Sequence, residues 1–280
     1  MKLALVLGLS LCAACNTDAS APHLARGNVL VNNGKREEAA NEYREAARLA
    51  PKSALPRERL GDALYDLGQK PQALTAYRDA LAVDPSSVTA AVGIARVLSD
   101  ENDLPGARAA LSSALERAPT NIFLLLSRSN LAARAGDFDG ALADAERAAH
   151  YKSKDVPALY QYGMMLLAKD RTDEAAVVFD RLLQYSPQSP EGHYGRARVF
   201  AARGEEANAA QALAAAAKQV EPDARARLVE QGYRGEGLDA AVRDARDRSL
   251  AAMQKDPAFA RWAQDPGFRR GAAWPVADAR

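Results

Sequence analysis

A chain of 280 residues has room for one or two ordinary domains or for one repeat array. Its residues are 48% hydrophobic but only 6% aromatic, so its core packs through small contacts between close helices and not through bulky rings. Charged residues make up 26% and nearly cancel, to a net charge of +1; this supplies no basic stripe for nucleic acid and excludes a chain held disordered by its own charge.

At the N-terminus, Lys2 precedes an apolar run from Leu3 to Ala14. A bilayer takes about 20 apolar residues, so this run is too short to span one and reads as a secretory signal. It ends in Cys12-Ala13-Ala14-Cys15. Two small residues before a cysteine resemble the bacterial lipobox, although the residue three before that cysteine is usually Leu and here is Cys12. The resemblance implies cleavage before Cys15 and lipidation of Cys15, with residues 1–14 as signal peptide and 15–19 as a short tether. Cys12 would then be lost and Cys15 occupied, leaving no thiol for a disulfide. An ordinary cleaved signal and an uncleaved short anchor are the alternatives. Asn16, where Asp would favour inner-membrane retention, implies the outer membrane, on the periplasmic face of a bacterial cell envelope.

From about residue 20 to 223 the sequence repeats. Pro51, Pro85, Pro119 and Pro187 lie at multiples of one spacing; Ser153 fills the skipped position, and Glu221 the next, with Pro222 one residue late. Small residues recur at Gly27, Gly61, Ala95, Ser129, Gly163 and Ala197, followed by Leu30, Leu64, Leu98, Ala132, Leu166 and Phe200. Turn residues sit at Gly34, Gly68, Asn102, Gly136, Asp170 and Gly204. Alanine holds all of 39, 73, 107, 141, 175 and 209; then come Tyr43, Tyr77, Leu111, Ala145, Phe179 and Leu213, and last Ala46, Ala80, Ala114, Ala148, Leu182 and Ala216. Apolar spacings of three, four and seven predict amphipathic helices. The turn column supplies the left-handed residue that ends a first helix, and proline stops the second.

These columns resemble the tetratricopeptide repeat. The resemblance implies an all-α superhelical solenoid of six antiparallel hairpins, 20–53, 54–87, 88–121, 122–155, 156–189 and 190–223, the fourth departing most through Ser129, Ala145 and Ser153. Units that cannot bury their apolar faces alone stack on their neighbours. The family binds segments of other proteins in a concave groove lined by first helices, and the register projects Asn28, Asp62, Arg96, Asn130, Met164 and Arg198 onto it. Leu24, Glu58, Val92, Leu126, Tyr160 and Tyr194 form a neighbouring column. This predicts polar readers in the early repeats and an aromatic end at Tyr160 and Tyr194, residues that local packing alone would also explain. The family's carboxylate clamp needs Lys four residues before Asn; Leu24 and Leu126 precede Asn28 and Asn130, so that clamp is not expected.

Residues 224–280 leave the register. Leu228-Val229 predicts a short helical stretch, Gly232, Gly235 and Gly237 a break, and Leu238–Lys255 a further helix. Asp256-Pro257-Ala258-Phe259 and Asp265-Pro266-Gly267-Phe268 each pair an N-cap with proline at the first helical position. Phe259, Trp262 and Phe268 are predicted to pack inward as a helical cap over the last repeat, a role preferred to binding, with 271–280 frayed, Trp274 included.

No catalytic set emerges. His23, His150 and His193 have no metal-ligand spacing, the Gly232–Gly237 run has no strand before it, and no nucleophile elbow is present. The expectation is a non-enzymatic, lipid-anchored scaffold without cofactor, metal, nucleic acid or small-molecule substrate, its partner another envelope protein or peptide segment. More specific versions are a pilotin-like assembly factor for a secretin or type IV pilus component, and a regulatory or targeting subunit of an envelope enzyme complex.

Overall fold

A computed structural model of the chain describes residues 19–231 and 233–272. The expected signal, Cys12, Cys15, Gly232 and Trp274 lie outside the described residues. Among those described there is no strand, and no helix is long and apolar enough to cross a membrane. Contacts divide the chain into two compact units, the first ending at Arg117 and the second beginning at Ala118.

The first unit holds three antiparallel helix pairs: α1 (Ala21–Asn32) with α2 (Arg36–Leu49), α3 (Leu55–Asp66) with α4 (Lys70–Val83), and α5 (Val88–Asp100) with α6 (Leu104–Arg117). The second holds α7 (Ile122–Arg134) with α8 (Phe138–Tyr151), α9 (Val156–Ala168) with α10 (Thr172–Tyr185), and α11 (Pro190–Arg203) with α12 (Glu206–Glu230). Within each unit every helix packs on the next, and α3 also meets α5, as α9 meets α11.

The turn column does what its residue types predict. Gly34, Gly68, Gly136 and Gly204 have φ between 73° and 79°, and Asn102 (63°) and Asp170 (56°) take the same left-handed conformation without being glycine. The alanines at 39, 73, 107, 141, 175 and 209 have no exposed surface. There the two helices of a hairpin come close enough that any larger side chain would separate them.

A second set of small residues sets the distance between neighbouring hairpins. A Cβ on Gly61 would lie 2.5 Å from the Tyr77 ring, and one on Gly93 2.4 Å from the other side of the same ring. Phe179 is held likewise between Gly163 and Gly195, whose added Cβ atoms would come within 2.6 and 2.2 Å. Each ring sits on a second helix, between a glycine of its own first helix and a glycine of the next. Where the fourth repeat has Ser129, its hydroxyl donates to the Ala141 carbonyl at 2.8 Å, which satisfies a polar group that is fully buried.

First helices start from a column that the sequence reading passed over. Ser87, Asn121, Asp155 and Ser189 each accept a hydrogen bond from the backbone N–H three residues on. Ion pairs also recur in register. Arg36 and Lys70, early in second helices, pair with Asp66 and Asp100 at the ends of the next first helices, both at 3.4 Å. In the second unit the polarity reverses: Asp139 and Asp173 open the second helices, and Lys169 and Arg203 answer at 2.7 Å.

One enclosed pair lies inside a hairpin. Arg128 grips the buried Asp144 with two bonds, from Nε at 2.7 Å and from Nη2 at 2.8 Å. Arg26 and Glu42 fill the same slot in the first repeat at 3.0 Å, whereas the second repeat has Leu60 and Ala76 there.

The tail departs from its predicted boundaries. The sixth repeat's second helix does not stop at 223; α12 runs to Glu230 with Pro222 inside it, so Leu228-Val229 is its continuation and not a separate stretch. Val220 and Ala224 remain buried on that continuation, and Ala216 and Val220 pack with Met253 of α13 (Gly235–Gln254). This burial outweighs the one backbone bond that proline removes. Asp256 and Asp265 act as N-caps, one for a 3₁₀ turn (Pro257–Trp262) and one for α14 (Pro266–Gly271). Phe259 and Phe268 are buried with Ala272 against Ala197, Ala201, Ala209, Ala210 and Leu213, and Trp262 packs against this cluster half-buried.

Urea unfolding of four variants checks this packing. Gly195→Ala is expected to lower stability by about 1–3 kcal/mol in urea unfolding, because the enclosed Phe179 ring cannot move aside. Gly237→Ala, a helical site with nothing within 4 Å, is expected to raise it by about 0.5–1 kcal/mol. Asp144→Ala removes both bonds that Arg128 donates to the buried carboxylate and is expected to cost roughly 3 kcal/mol. The double change Arg128→Leu with Asp144→Ala, which copies the second repeat, is expected to recover most of that loss.

Candidate partner-binding surface

In the first unit the predicted column lies on α1, α3 and α5. Tyr43 and Tyr77, rising from the second helices, donate their hydroxyls to Asn28 Oδ1 at 2.8 Å and to Asp62 Oδ1 at 2.7 Å. Arg96 donates to the Tyr77 hydroxyl at 3.1 Å, lies 3.5 Å from Asp62, and stacks 3.8 Å above the Tyr65 ring. Tyr65 in turn donates to Asp100 at 2.6 Å. The structure thus joins Asp62 and Arg96 through Tyr77, with one side of each still open to solvent.

Asn28 and Asp62 also border a cleft of ≈ 330 Å³ shared with Asn32, Arg59, Asp66, Val31, Tyr43 and Ala63. Amide, carboxylate and guanidinium groups line it together with Val31 and Ala63, which suits the backbone of an extended segment better than a compact apolar ligand. In the neighbouring column Leu24 packs half-buried into the first hairpin, Glu58 accepts from the Ser87 hydroxyl, and Val92 is half-buried.

In the second unit Asn130 is exposed on α7, and Leu126 and Met164 are half-buried. Tyr160 lies with its ring 6.2 Å from that of Phe179. Tyr194 and Arg198 are engaged by the chain itself. The Tyr194 hydroxyl donates to Asp256, Arg198 Nη1 lies 3.6 Å from the same carboxylate, and the Tyr194 ring meets Phe259 edge-on. Asp256, which the sequence reading treated only as a helix cap, is the residue that joins these two. The signal was its type and its place before a proline; the sixty-odd residues separating it from Tyr194 hid the contact.

Burial, followed by the hydrogen bond to Asp62, raises the Tyr77 phenol well above its usual value; burial and then Asp256 do the same for Tyr194. Burial pushes Tyr160 up to about 12 and also raises Tyr43. Such phenols stay protonated at neutral pH, as donors and not as bases or nucleophiles. His23 lies 2.7 Å from Glu42 and, with Arg26, holds that carboxyl below its ordinary value. His193 Nε2 lies 3.0 Å from the Pro187 carbonyl, and His150 is exposed beside Tyr151. Among the described residues no three His, Cys, Asp or Glu side chains are grouped to hold a metal ion.

Three family models, two described as "Tetratricopeptide repeat" and one as "TPR repeat", match residues 58–122, 132–198 and 27–68, together more than half of the chain. No curated protein sequence matches the chain. Among solved structures, a tetratricopeptide repeat protein from Parabacteroides merdae is 17% identical, with 81% of this chain and 98% of that one covered and a TM-score of 0.55. PilW, described as a widely conserved type IV pilus biogenesis factor, is 17% identical over 80% of this chain and 98% of its own, with a TM-score of 0.58. The Pseudomonas aeruginosa pilF product is 16% identical over 72% and 90%, also at 0.58.

The raised phenols imply an alkaline limit. In the unfolded chain tyrosine ionises near pH 10. Below that value both states keep their protons and stability is complete. Above it only the unfolded state loses them, so stability falls as pH climbs toward the folded values. The urea midpoint is expected to hold from about pH 7 to 9 and to drop between about 10 and 12, with a shallower drop in Tyr77→Phe/Tyr194→Phe. Equal slopes for the two proteins would refute the assignment.

Proposed function

The chain belongs to the tetratricopeptide-repeat family, and from that premise we propose that it is a protein-interaction scaffold that takes an extended segment of a partner protein along its first-helix faces. The observation that carries this reading is the open polar array on the first unit, Asn28 beside its cleft and Asp62 with Arg96 over Tyr65 and Tyr77. Its side chains are held by second-helix hydroxyls and a stacked ring before any partner arrives, so binding orders few rotamers. Tyr and Arg are also the residue types that most often anchor interfaces.

The scaffold is placed in the bacterial envelope on the periplasmic face, tethered through lipid on Cys15, and its partner is another envelope protein. The Cys12–Cys15 sequence supports the tether. A more specific reading, assistance in assembling a secretin or type IV pilus component, is favoured by the likeness in fold to PilW and to the pilF product.

A crosslinking pulldown from native membranes tests both parts. Wild type is expected to recover one envelope protein, and Asn28→Ala/Arg96→Ala to lose at least about nine-tenths of it while keeping its helical circular dichroism. Cys15→Ala is expected to move the protein from the membrane to the soluble fraction. Recovery of the same proteins by the double variant would remove the first-helix reading, and membrane retention of Cys15→Ala would remove the tether.

A further inference from the structure

The C-terminal segment does more than cover the last hairpin. It places a carboxylate, a proline and an aromatic ring on α11 in the way a bound peptide would. Asp256 takes both polar groups that the register assigns to the recognition face, Tyr194 and Arg198. Three residues on, Phe259 has no exposed surface and is stacked with Phe268, over Ala197, Ala201 and Leu213. Arg261 donates to the Ala201 carbonyl, beyond the end of the intrahelical ladder's need.

Two features separate this seat from a plain end cap. A cap needs only apolar cover, yet Asp256, one of whose oxygens accepts from the Ala258 N–H, turns the other to a tyrosine and an arginine that solvent could otherwise satisfy. The seat is also not filled. A cleft of ≈ 510 Å³ remains beside the segment, lined by Leu167, Arg198, Ala202, Pro257, Ala258 and Arg261 among others, and the buried Arg198 Nε has no acceptor among the described residues. The Arg198 guanidinium beside Leu167 and Ala202, all outside the segment, fits a further acidic group flanked by apolar side chains.

We propose that residues 256–261 are an internal ligand of the fifth and sixth repeats, and that the partner segment this face accepts reads acidic–proline–any–aromatic and displaces them. The proposal rests on the scaffold reading above and specifies its partner chemistry. Tethering gives the segment an effective concentration of the order of millimolar. A free segment of equal affinity therefore competes poorly, and a partner must add contacts, for which Arg198 Nε and the Leu167 and Ala202 side of the cleft, which stay when the segment leaves, are available. The chain is self-occupied until a partner with those additional groups arrives.

The test uses the full chain and a fluorescein-labelled peptide of residues 254–267, read by anisotropy. Asp256→Ala/Phe259→Ala, which releases the internal ligand, is expected to bind this peptide at least about ten-fold more tightly than wild type does. Adding Arg198→Ala is expected to remove the gain, and a peptide carrying Asp256→Asn and Phe259→Ala is expected not to bind. Binding by the released chain no tighter than by wild type, or equal binding of the altered peptide, overturns the proposal. Should the released chain lose its cooperative melt, hydrogen exchange on wild type decides: about 1 mM unlabelled peptide is expected to speed exchange in 256–272 while α11 stays protected, and unchanged exchange overturns it. A concentration-dependent dimer of the wild-type chain that Asp256→Ala/Phe259→Ala abolishes would also overturn it, since the segment would then serve a second copy. Failure of these measurements while the Asn28/Arg96 pulldown succeeds removes the internal ligand alone and leaves the scaffold standing.

Discussion

The packing of this chain depends on an aromatic ring held between two glycines. Tyr77 and Phe179 project from second helices into slots whose walls are bare backbone, at Gly61 and Gly93 for one and Gly163 and Gly195 for the other. With no Cβ on either side, a first helix, a ring and the next first helix stack at the closest distance their backbones allow. A ring that fills such a slot is large and rigid, so its burial contributes much and its placement leaves little freedom. Register between neighbouring hairpins follows from it, because only one glycine of each first helix stands opposite the ring.

The same ring couples packing to the order of the polar surface above it. Tyr77 carries a hydroxyl where Phe179 carries none, and that hydroxyl reaches through to the surface to hold Asp62 and accept from Arg96. In the second unit the surface over Phe179 has no such contact from below, and its polar groups, Tyr194 and Arg198, find their acceptor on the chain's own tail. One substitution at one register position thus distinguishes a face pre-ordered by its core from a face ordered by a segment far along the sequence. The reversed surface ion pairs, bases on second helices in the first unit and acids in the second, follow the same division. Each such exposed pair contributes little to stability, but a hairpin placed beside the wrong neighbour would set like charges together.

Much of this was readable beforehand, and the reason is local. A left-handed turn admits few residue types, so six positions holding Gly, Asn or Asp announced six turns, and every one has positive φ. A zero-clearance helix crossing admits only alanine, so the alanine column marked the hairpin interiors. The Gly93 and Gly195 walls went unread because two copies do not make a column; their meaning lies in the ring on the preceding repeat. Pro222 was taken as a stop because it stops the earlier helices, yet those prolines follow a residue already extended, such as Ala50 (ψ 70°) or Asp84 (ψ 95°). Here the chain before Pro222 stays helical, since Ala216 and Val220 have Met253 of α13 to bury against and Ala224 beyond the proline is itself buried. The Asp256 contact could not be read at all. Nothing about an aspartate sixty residues away names its partner until the fold has brought the two together.

That contact bears on how a repeat array ends. A hairpin stack exposes on its last member the same apolar surface that each earlier member buries against a neighbour. In this chain Phe259, Phe268 and Ala272 cover that surface over α11 and α12, which a polar-faced helix alone could also have done. The cover instead arrives as two short Asp-Pro-x-Phe pieces, each capped by its own aspartate and joined to the body by few residues. Short pieces have little internal cooperativity, so their hold depends on the side chains they insert and not on a long helix that must detach as one. The nearest glycine-clamped ring, Phe179, packs on Gly195 of α11, whereas this cover packs on Tyr194, Ala197, Arg198 and Ala201, so cover and clamp use different side chains of the same helix.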